Sequence, residues 1–495
     1  MSNPSTKKEI IIVLMVLIFC SRLFQINDPI VDHHSWNQIS AASMAKHLYY
    51  DWSTFFSPTV DLYGSPDSTS TVYAQEMLLY HLPIALLYHL FGVAEWAARL
   101  VSITYGMIGL WYLFLLSKRL FGENTAILTL FLAGFSPLNW FYHQSIMSDN
   151  SMVTAMIAGF YYFYLWLEDR QKEKYFWYSL CWTMAAGLFK SYGLVIGAGY
   201  LLLIILRKEY QLLLSPRLYL FTILAWLPAI LWIYHALGLE EGKTEFSNIN
   251  QILHPELLWS WSFYKRMVLA RFTDQLLTPL IAIGCVIGMC KARLQEKQYH
   301  PPIALLGACL IYLFIVQRGN FVHDYYQLPF VPCLTLFAAI GIREIWRWKK
   351  LQISQSKPLI GSCLTLFFFQ SLIYTYNHAR DDIGSYNAGT QIAALSESSE
   401  DKVLAFDIGA NKRNQLVYYS NHKGWHVAHL DWKVLAEYQS RGVTWLGVNL
   451  LKESHFKKYE LFLKQLGQKY PKVWENQDTV DRYGRPVLSQ VYHLK

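Results

Sequence analysis

Over the first three quarters of the chain, apolar residues gather in unbroken runs; over the last quarter they come in short stretches separated by charge. Runs at 10–24, 96–116, 124–141, 152–167, 175–189, 193–206, 217–236, 272–290, 302–317, 326–342 and 358–375 predict eleven spanning helices. Several are shorter than the roughly 20 residues that cross a bilayer core. The stretch 76–92 differs. It contains Glu76, His81, Pro83 and His89, and its apolar residues fall mostly on one face, so it predicts a helix lying in the membrane interface. Past residue 375, strand-like segments at Val403–Phe406, Val443–Val448 and Val487–Val491 alternate with helix-like ones at 411–419, 430–441 and 455–468. That alternation predicts a small α/β domain.

Charge follows the same division. Residues 376–495 hold 29 of the 78 charged residues, about 24% of that segment, whereas the first 375 residues hold 49, about 13%. The first figure is ordinary for a soluble protein. A single soluble domain, a disordered chain and a fibrous repeat are thereby excluded. The expected fold class is an α-helical polytopic membrane protein with about 11 transmembrane helices and a small C-terminal α/β extracytoplasmic domain. Its domains are 1–375, with interfacial helices in a long first outer loop at 27–95, and 376–495.

Basic residues set the expected orientation. With 76–92 not crossing, the cytoplasmic segments are 1–9, 117–123, 168–175, 207–217, 291–300 and 343–357, and they carry 18 of the 27 Lys and Arg before residue 376. A span at 76–92 would turn most of those charges outward. The N-terminus is therefore expected in the cytoplasm and the tail outside a plasma membrane. Lys7 and Lys8 before the run 10–24 resemble the start of a signal peptide, but no small-x-small cleavage site follows, so an uncleaved anchor is expected.

The seven cysteines (Cys20, Cys181, Cys285, Cys290, Cys309, Cys333 and Cys363) all lie in apolar runs, which argues against a disulfide framework or a Cys-rich zinc site. The formal charge of +8 comes without a basic stripe or recognition motif, so no nucleic-acid partner is expected.

This topology places the unusual polar residues on one side. The first outer loop carries Asp32, His33 and His34, then Tyr63-Gly64-Ser65-Pro66, then Tyr73-Ala74-Gln75-Glu76. Asp149 follows Ser148 in the next outer loop, Lys190 ends the fifth run, and Arg318, His323, Asp324 and Tyr325 lie at another outer turn. Ionisable groups at membrane depth are costly and usually face a cavity or one another. Each residue has a plainer role open to it. Asp32 also suits a solvated loop acid, and Asp149 a helix cap. Lys190 and Arg318 also suit snorkelling to headgroups. His323 also suits an interfacial hydrogen bond, and Glu76 a helix-start acid. Their shared side is the informative fact.

In order, Asp32-His33-His34-Ser35-Trp36-Asn37-Gln38, Glu76, Trp96-Ala97-Ala98-Arg99-Leu100, Ser148-Asp149, Phe189-Lys190 and His323-Asp324-Tyr325-Tyr326-Gln327-Leu328-Pro329 resemble motifs of one family. It comprises the bacterial polytopic C-type-fold glycosyltransferases, related to protein O-mannosyltransferases and lipid A aminoarabinose transferases. Leu416-Val417-Tyr418-Tyr419 through Gly424-Trp425 resembles the outer domain of one branch. Two departures stand out. Asn37 replaces an expected arginine, and the Lys-Pro-Pro run of aminoarabinose transferases is absent before the interfacial helix.

The resemblance implies an inverting transfer of a sugar from a polyprenyl-phosphate carrier to a glycolipid, glycan or protein acceptor on the outer face. Asp32 suits the general base that deprotonates the acceptor hydroxyl. The leaving lipid phosphate needs fixed positive charge, for which Lys190 and Arg318 are candidates, with His323 and Tyr325 as hydrogen-bond donors. Asp149, Glu76 and His34 are candidates for acceptor orientation or support. Glu76 and His323 are also candidate ligands of a divalent metal, as similar residues are in aminoarabinose transferases. The aromatic segment 237–271, with Lys265, Arg266 and Arg271, suits either a flap over a lipid-linked substrate or an aromatic belt. In the tail, Asp407-Ile408-Gly409-Ala410-Asn411 is not a phosphate-binding fingerprint, so the tail is expected to shape acceptor access. Two rival classes remain open: a polyprenyl-linked glycan ligase or polymerase, and a lipid-linked sugar flippase or transporter. Transporters, however, commonly carry paired internal repeats, and none is evident.

Overall fold

The computed structural model describes residues 4–64, 68–239, 251–347, 353–378, 383–408, 414–480 and 484–495. The chain is a mostly helical membrane protein that ends in a small strand-containing domain. It divides into two compact units: Met1–Ile26, Arg99–His235 and Glu245–Thr375 form the first, and Asn27–Ala98, Ala236–Thr244 and Tyr376–Lys495 the second.

Every apolar run predicted to span is helical, but the helices are less regular than the runs. Among the described residues, five helices are long and apolar enough to cross a membrane, or seven if two bent pairs each count once, against the eleven expected. The run 124–141 becomes Glu123–Gly134 and Pro137–Gln144, bent by 64°, and the run 272–290 is divided between Trp261–Leu277 and Pro279–Lys291, bent by 104°. Proline explains the first bend, because Pro137 has no amide hydrogen to give the carbonyl four residues earlier. The Asn139 side chain donates to that carbonyl, of Ala133, at 2.8 Å. Arg22, fully buried at the end of the helix Pro4–Arg22, donates to the carbonyl of Gly134. The polar groups freed by the bend are thus satisfied internally, as a non-aqueous setting requires. Between Glu173–Phe189 and Ile196–Leu206 the chain tightens into a 3-10 turn, Ser191–Val195.

Close helix contact in this unit depends on small residues. Where Pro279–Lys291 packs on Val331–Trp346, a Cβ on Gly341 would lie 1.8 Å from the Gly284 carbonyl oxygen, and one on Gly288 would lie 1.9 Å from that of Phe337.

In the second unit, the stretch 76–92 forms only the 11-residue helix His81–Phe91, and the longer helix Ser35–Tyr50 precedes it. The C-terminal sheet has strands β1 (Lys402–Ile408), β2 (Lys423–Val427), β3 (Val443–Leu451), β4 (Lys472–Val480) and β5 (Pro486–His493), in the order β2-β1-β3-β5-β4. β1 runs parallel to β2 and β3, whereas β5 is antiparallel to β3 and β4. The three strands expected from sequence are β1, β3 and β5. Helices Trp432–Ser440 and Glu453–Lys469 match the expected 430–441 and 455–468, and the described part of the expected 411–419 is helical over Gln415–Tyr419. Residues 409–413, which include part of the single-glycine run, lie outside the described residues.

The connections leave β1 in opposite directions at the β1/β3 boundary, where open α/β sheets commonly bind ligands beyond their carboxyl ends. Here that position is filled. Ser385 Oγ donates to Asp407 Oδ2 at 2.5 Å, and Asn449 Nδ2 donates to Ser385 Oγ at 2.8 Å. A Cβ on Gly384 would lie 2.2 Å from Asn449 Oδ1. The first turn of the helix Gly384–Leu395 therefore sits directly on the strand ends.

Candidate active site

Within the first unit, the breaks between helices gather polar side chains. Asp149 opens the helix Asp149–Glu168, and Lys190 follows the end of Glu173–Phe189 in extended backbone. Lys190 Nζ donates to Asp149 Oδ2 at 2.8 Å, and Tyr192 donates to Asp149 Oδ1 at 2.8 Å. The ammonium also lies 5.4 Å from the centre of the Tyr325 ring and 5.8 Å from that of Tyr192, within cation–π range.

A second buried carboxylate lies on the turn after the helix Gln317–Val322. Asp324 accepts from Tyr142 Oη at 2.5 Å and faces Arg271 Nη1 at 3.7 Å. Arg271 is on the π-helix Arg266–Leu277, a form often associated with functional sites. Its Nη1 donates to Gln275 and its Nη2 to the Val322 carbonyl, while its buried Nε has no hydrogen-bond partner among the described residues. His323 is half-buried and stacks on Tyr325 at 5.2 Å, and Tyr325 lies 4.9 Å from Tyr326. Two carboxylates thus hold two cations in place among tyrosine rings.

Asp32 is in the second unit. It is 8% exposed and precedes the helix Ser35–Tyr50, whose cap His34 has left-handed backbone at φ 57°. A non-glycine residue there is strained, and such strain is concentrated at functional sites. Gln38, one turn into the helix, donates its amide to Asp32 Oδ1 and to the His33 carbonyl. The His33 ring lies 4.0 Å from His34 and 5.1 Å from His378. Glu76 is half-buried before the helix His81–Phe91.

Of the residues expected from sequence, Asp149, Lys190, His323 and Tyr325 come together in the first unit, and Asp32 and His34 are neighbours in the second. Glu76 is in the second unit and His323 in the first. Arg318 is exposed on Gln317–Val322, and its charge acts on Glu256. Arg271, by contrast, is buried and faces Asp324. The aromatic segment had drawn attention to Arg271, but only as part of a flap. Asp324 and Gln38 lie within the family-like motifs without an assigned role, and nothing in sequence distinguishes Tyr142 from the other tyrosines.

Residues 77–235 match the family model described as dolichyl-phosphate-mannose-protein mannosyltransferase. No curated protein matches the chain by sequence. Among solved structures, ArnT from Cupriavidus metallidurans in the apo state is similar over 97% of both chains, at a TM-score of 0.63 and 12% identity. The same protein bound to undecaprenyl phosphate is similar over 97% of both chains at a TM-score of 0.59 and 11% identity. The Archaeoglobus fulgidus oligosaccharyltransferase, solved with Zn and sulfate, is similar over 94% of this chain and 72% of its own, at a TM-score of 0.58 and 8% identity. The chain therefore shares the fold of these solved proteins over nearly its whole length, as its ordered motifs led one to expect.

Proposed function

We propose that this protein is an inverting glycosyltransferase that moves a sugar from a polyprenyl-phosphate carrier to an acceptor hydroxyl at the outer face of the membrane. The observation that carries this reading is the end-to-end likeness of fold to ArnT, a protein that has been solved with undecaprenyl phosphate bound. The basic residues of the short loops support a cytoplasmic N-terminus and an extracytoplasmic tail.

The chemistry assigns roles to the chain's own residues. Asp32, held by Gln38, takes the acceptor proton as the acceptor oxygen attacks the anomeric carbon. The new oxygen–carbon bond forms as the carbon–oxygen bond to the lipid phosphate breaks, and the electron pair leaves with the phosphate. Lys190, Arg271 and Tyr325 offer donors to that phosphate, and Asp149 and Asp324 keep the two cations in place without reorganisation. His323, stacked on Tyr325, adds a further donor.

The test uses purified protein in detergent, a panel of polyprenyl-phosphate sugars and a membrane glycolipid extract as acceptor. Release of polyprenyl phosphate by wild type but not by Asp32→Asn supports the reading. Release undiminished in the mutant sinks Asp32 as base, and passage of intact donors across liposomes without release favours a flippase.

A further inference from the structure

The loop that carries Asp32 has little secondary structure of its own until Ser35, yet its backbone is buried around Ile30 and Val31. Buried amides and carbonyls need partners. Here the partners come from the C-terminal part of the same compact unit. Tyr419 Oη accepts from the Ile30 amide at 2.6 Å, and Gln415 Nε2 donates to the Ile30 carbonyl at 3.0 Å. On the other side of Asp32, the His33 amide donates to the His378 carbonyl at 3.0 Å. Asn414 Nδ2 donates to the Trp36 carbonyl at 2.8 Å and to Ser40 Oγ at 2.9 Å. Tyr419 Oη also donates to Glu95 Oε1 at 3.1 Å, which fixes the phenol itself.

We propose that Asn414, Gln415 and Tyr419 are positioning residues for Asp32, so that the C-terminal domain sets the geometry of the general base. The inference rests on the reading of Asp32 given above. All three belong to one short segment, the helix Gln415–Tyr419 and the residue before it. Their bonds reach backbone atoms two residues before Asp32 and four after it, and side-chain packing alone would not require that. Gln415 and Tyr418 are buried, and Lys46 lies 4.6 Å over the Tyr418 ring, so the segment is itself held firmly. A misplacement of a base by about 1 Å costs on the order of 100-fold in rate. Three side chains that set the backbone around Asp32 therefore influence turnover without touching substrate.

The test compares Tyr419→Phe, Gln415→Glu and Asn414→Asp, each nearly isosteric, in full-length protein in detergent. Asp401→Asn is the control. It exchanges one of the two carboxylate oxygens that accept from Trp445, Ser396 and Thr444 elsewhere in the tail for an NH2 group, and so weakens the domain without touching the Asp32 loop. The expected result is a kcat lowered by about 10- to 100-fold with the KM for donor unchanged in the three variants. Amide exchange in residues 28–38 should also rise. The control should lower the melting temperature and change neither. Normal kcat and unchanged exchange in the three variants would overturn the proposal, as would equal kcat losses in the control. Activity in Asp32→Asn would instead remove the base assignment, and the exchange rates would still decide whether the tail holds the loop.

Discussion

Lys190 and Asp149 form an ion pair at 2.8 Å with side chains only 9% and 2% exposed, so each is the other's principal compensation for leaving water. The pair binds the start of one helix to the end of its neighbour. Breaking a buried pair by removing one partner costs about 3–5 kcal/mol, because the other charge is left uncompensated. Asp149→Asn and Lys190→Met should each lower the melting temperature sharply, whereas the double variant should recover part of the loss. Recovery of stability without recovery of transfer would mark Lys190 as a phosphate contact as well as a structural one. Full recovery of both would make the pair structural.

Gln38 and Asp32 offer a narrower test. The Gln38 amide donates to Asp32 Oδ1, which holds the carboxylate in one orientation. Gln38→Met keeps the shape and removes the donor. Transfer by this variant should fall by about 10-fold or more, with expression and donor KM near wild type. A normal rate would mean that other contacts orient Asp32.

Much of the fold was legible because apolar runs and charge density record burial and membrane contact directly. Every run became a helix, and the stretch 76–92 formed only the short helix His81–Phe91. The bends were less legible. Pro137 and Pro279 are visible in sequence, but whether proline opens a new helix or kinks an old one depends on partners such as Asn139 and Arg22, which lie outside the local pattern. β2 and β4 were missed for a similar reason. Lys423–Val427 is short, and Lys472–Val480 is a mostly exposed edge strand paired only to β5, so neither has a clear apolar alternation. At the candidate site, the motifs contain Asp149, Lys190, His323 and Tyr325, which the structure brings near one another, whereas Arg271 and Tyr142 carry no site role in the sequence reading. Their importance comes from the approach of distant segments to Asp324.

Asp61 gives a pH signature. Burial pushes its carboxyl up, but the charge of Lys46, with the hydrogen bond and charge of His47, outweighs this and holds it below the usual 3.8. Lys46 Nζ lies 2.7 Å and His47 Nε2 2.9 Å from the carboxylate. A depressed acid contributes stability above its unfolded value, about 3.9, and that contribution is lost as pH falls through the folded value. The melting temperature of wild type should exceed that of Asp61→Asn at pH 6, and the gap should close below about pH 4. A gap independent of pH would mean that Asp61 acts through shape alone.

Gly341 tests the helix crossing in the first unit. Its missing side chain leaves room for the Gly284 carbonyl oxygen, 1.8 Å from where a Cβ would stand. Backbone cannot yield as a flexible side chain does, so Gly341→Ala should destabilise by about 1–3 kcal/mol or more. Gly361→Ala, where nothing lies within 4 Å, should be close to neutral. Similar melting temperatures for the two variants would show that the helices separate without cost.

Arg271 separates charge from geometry in the phosphate reading. Its guanidinium is fixed by Gln275, the Val322 carbonyl and Asp324, which leaves the Nε edge without a partner among the described residues. A lysine keeps the charge but not the planar fork, so the exchange is not conservative at such a site. Arg271→Lys should keep the protein folded while lowering kcat/KM for the donor by about 10-fold or more, and Arg271→Met should lower it further. Product inhibition by added polyprenyl phosphate should weaken in step, because the same donors hold the released phosphate. If Arg271→Lys loses turnover but keeps full product inhibition, Arg271 does not contact the phosphate and serves only to place Asp324.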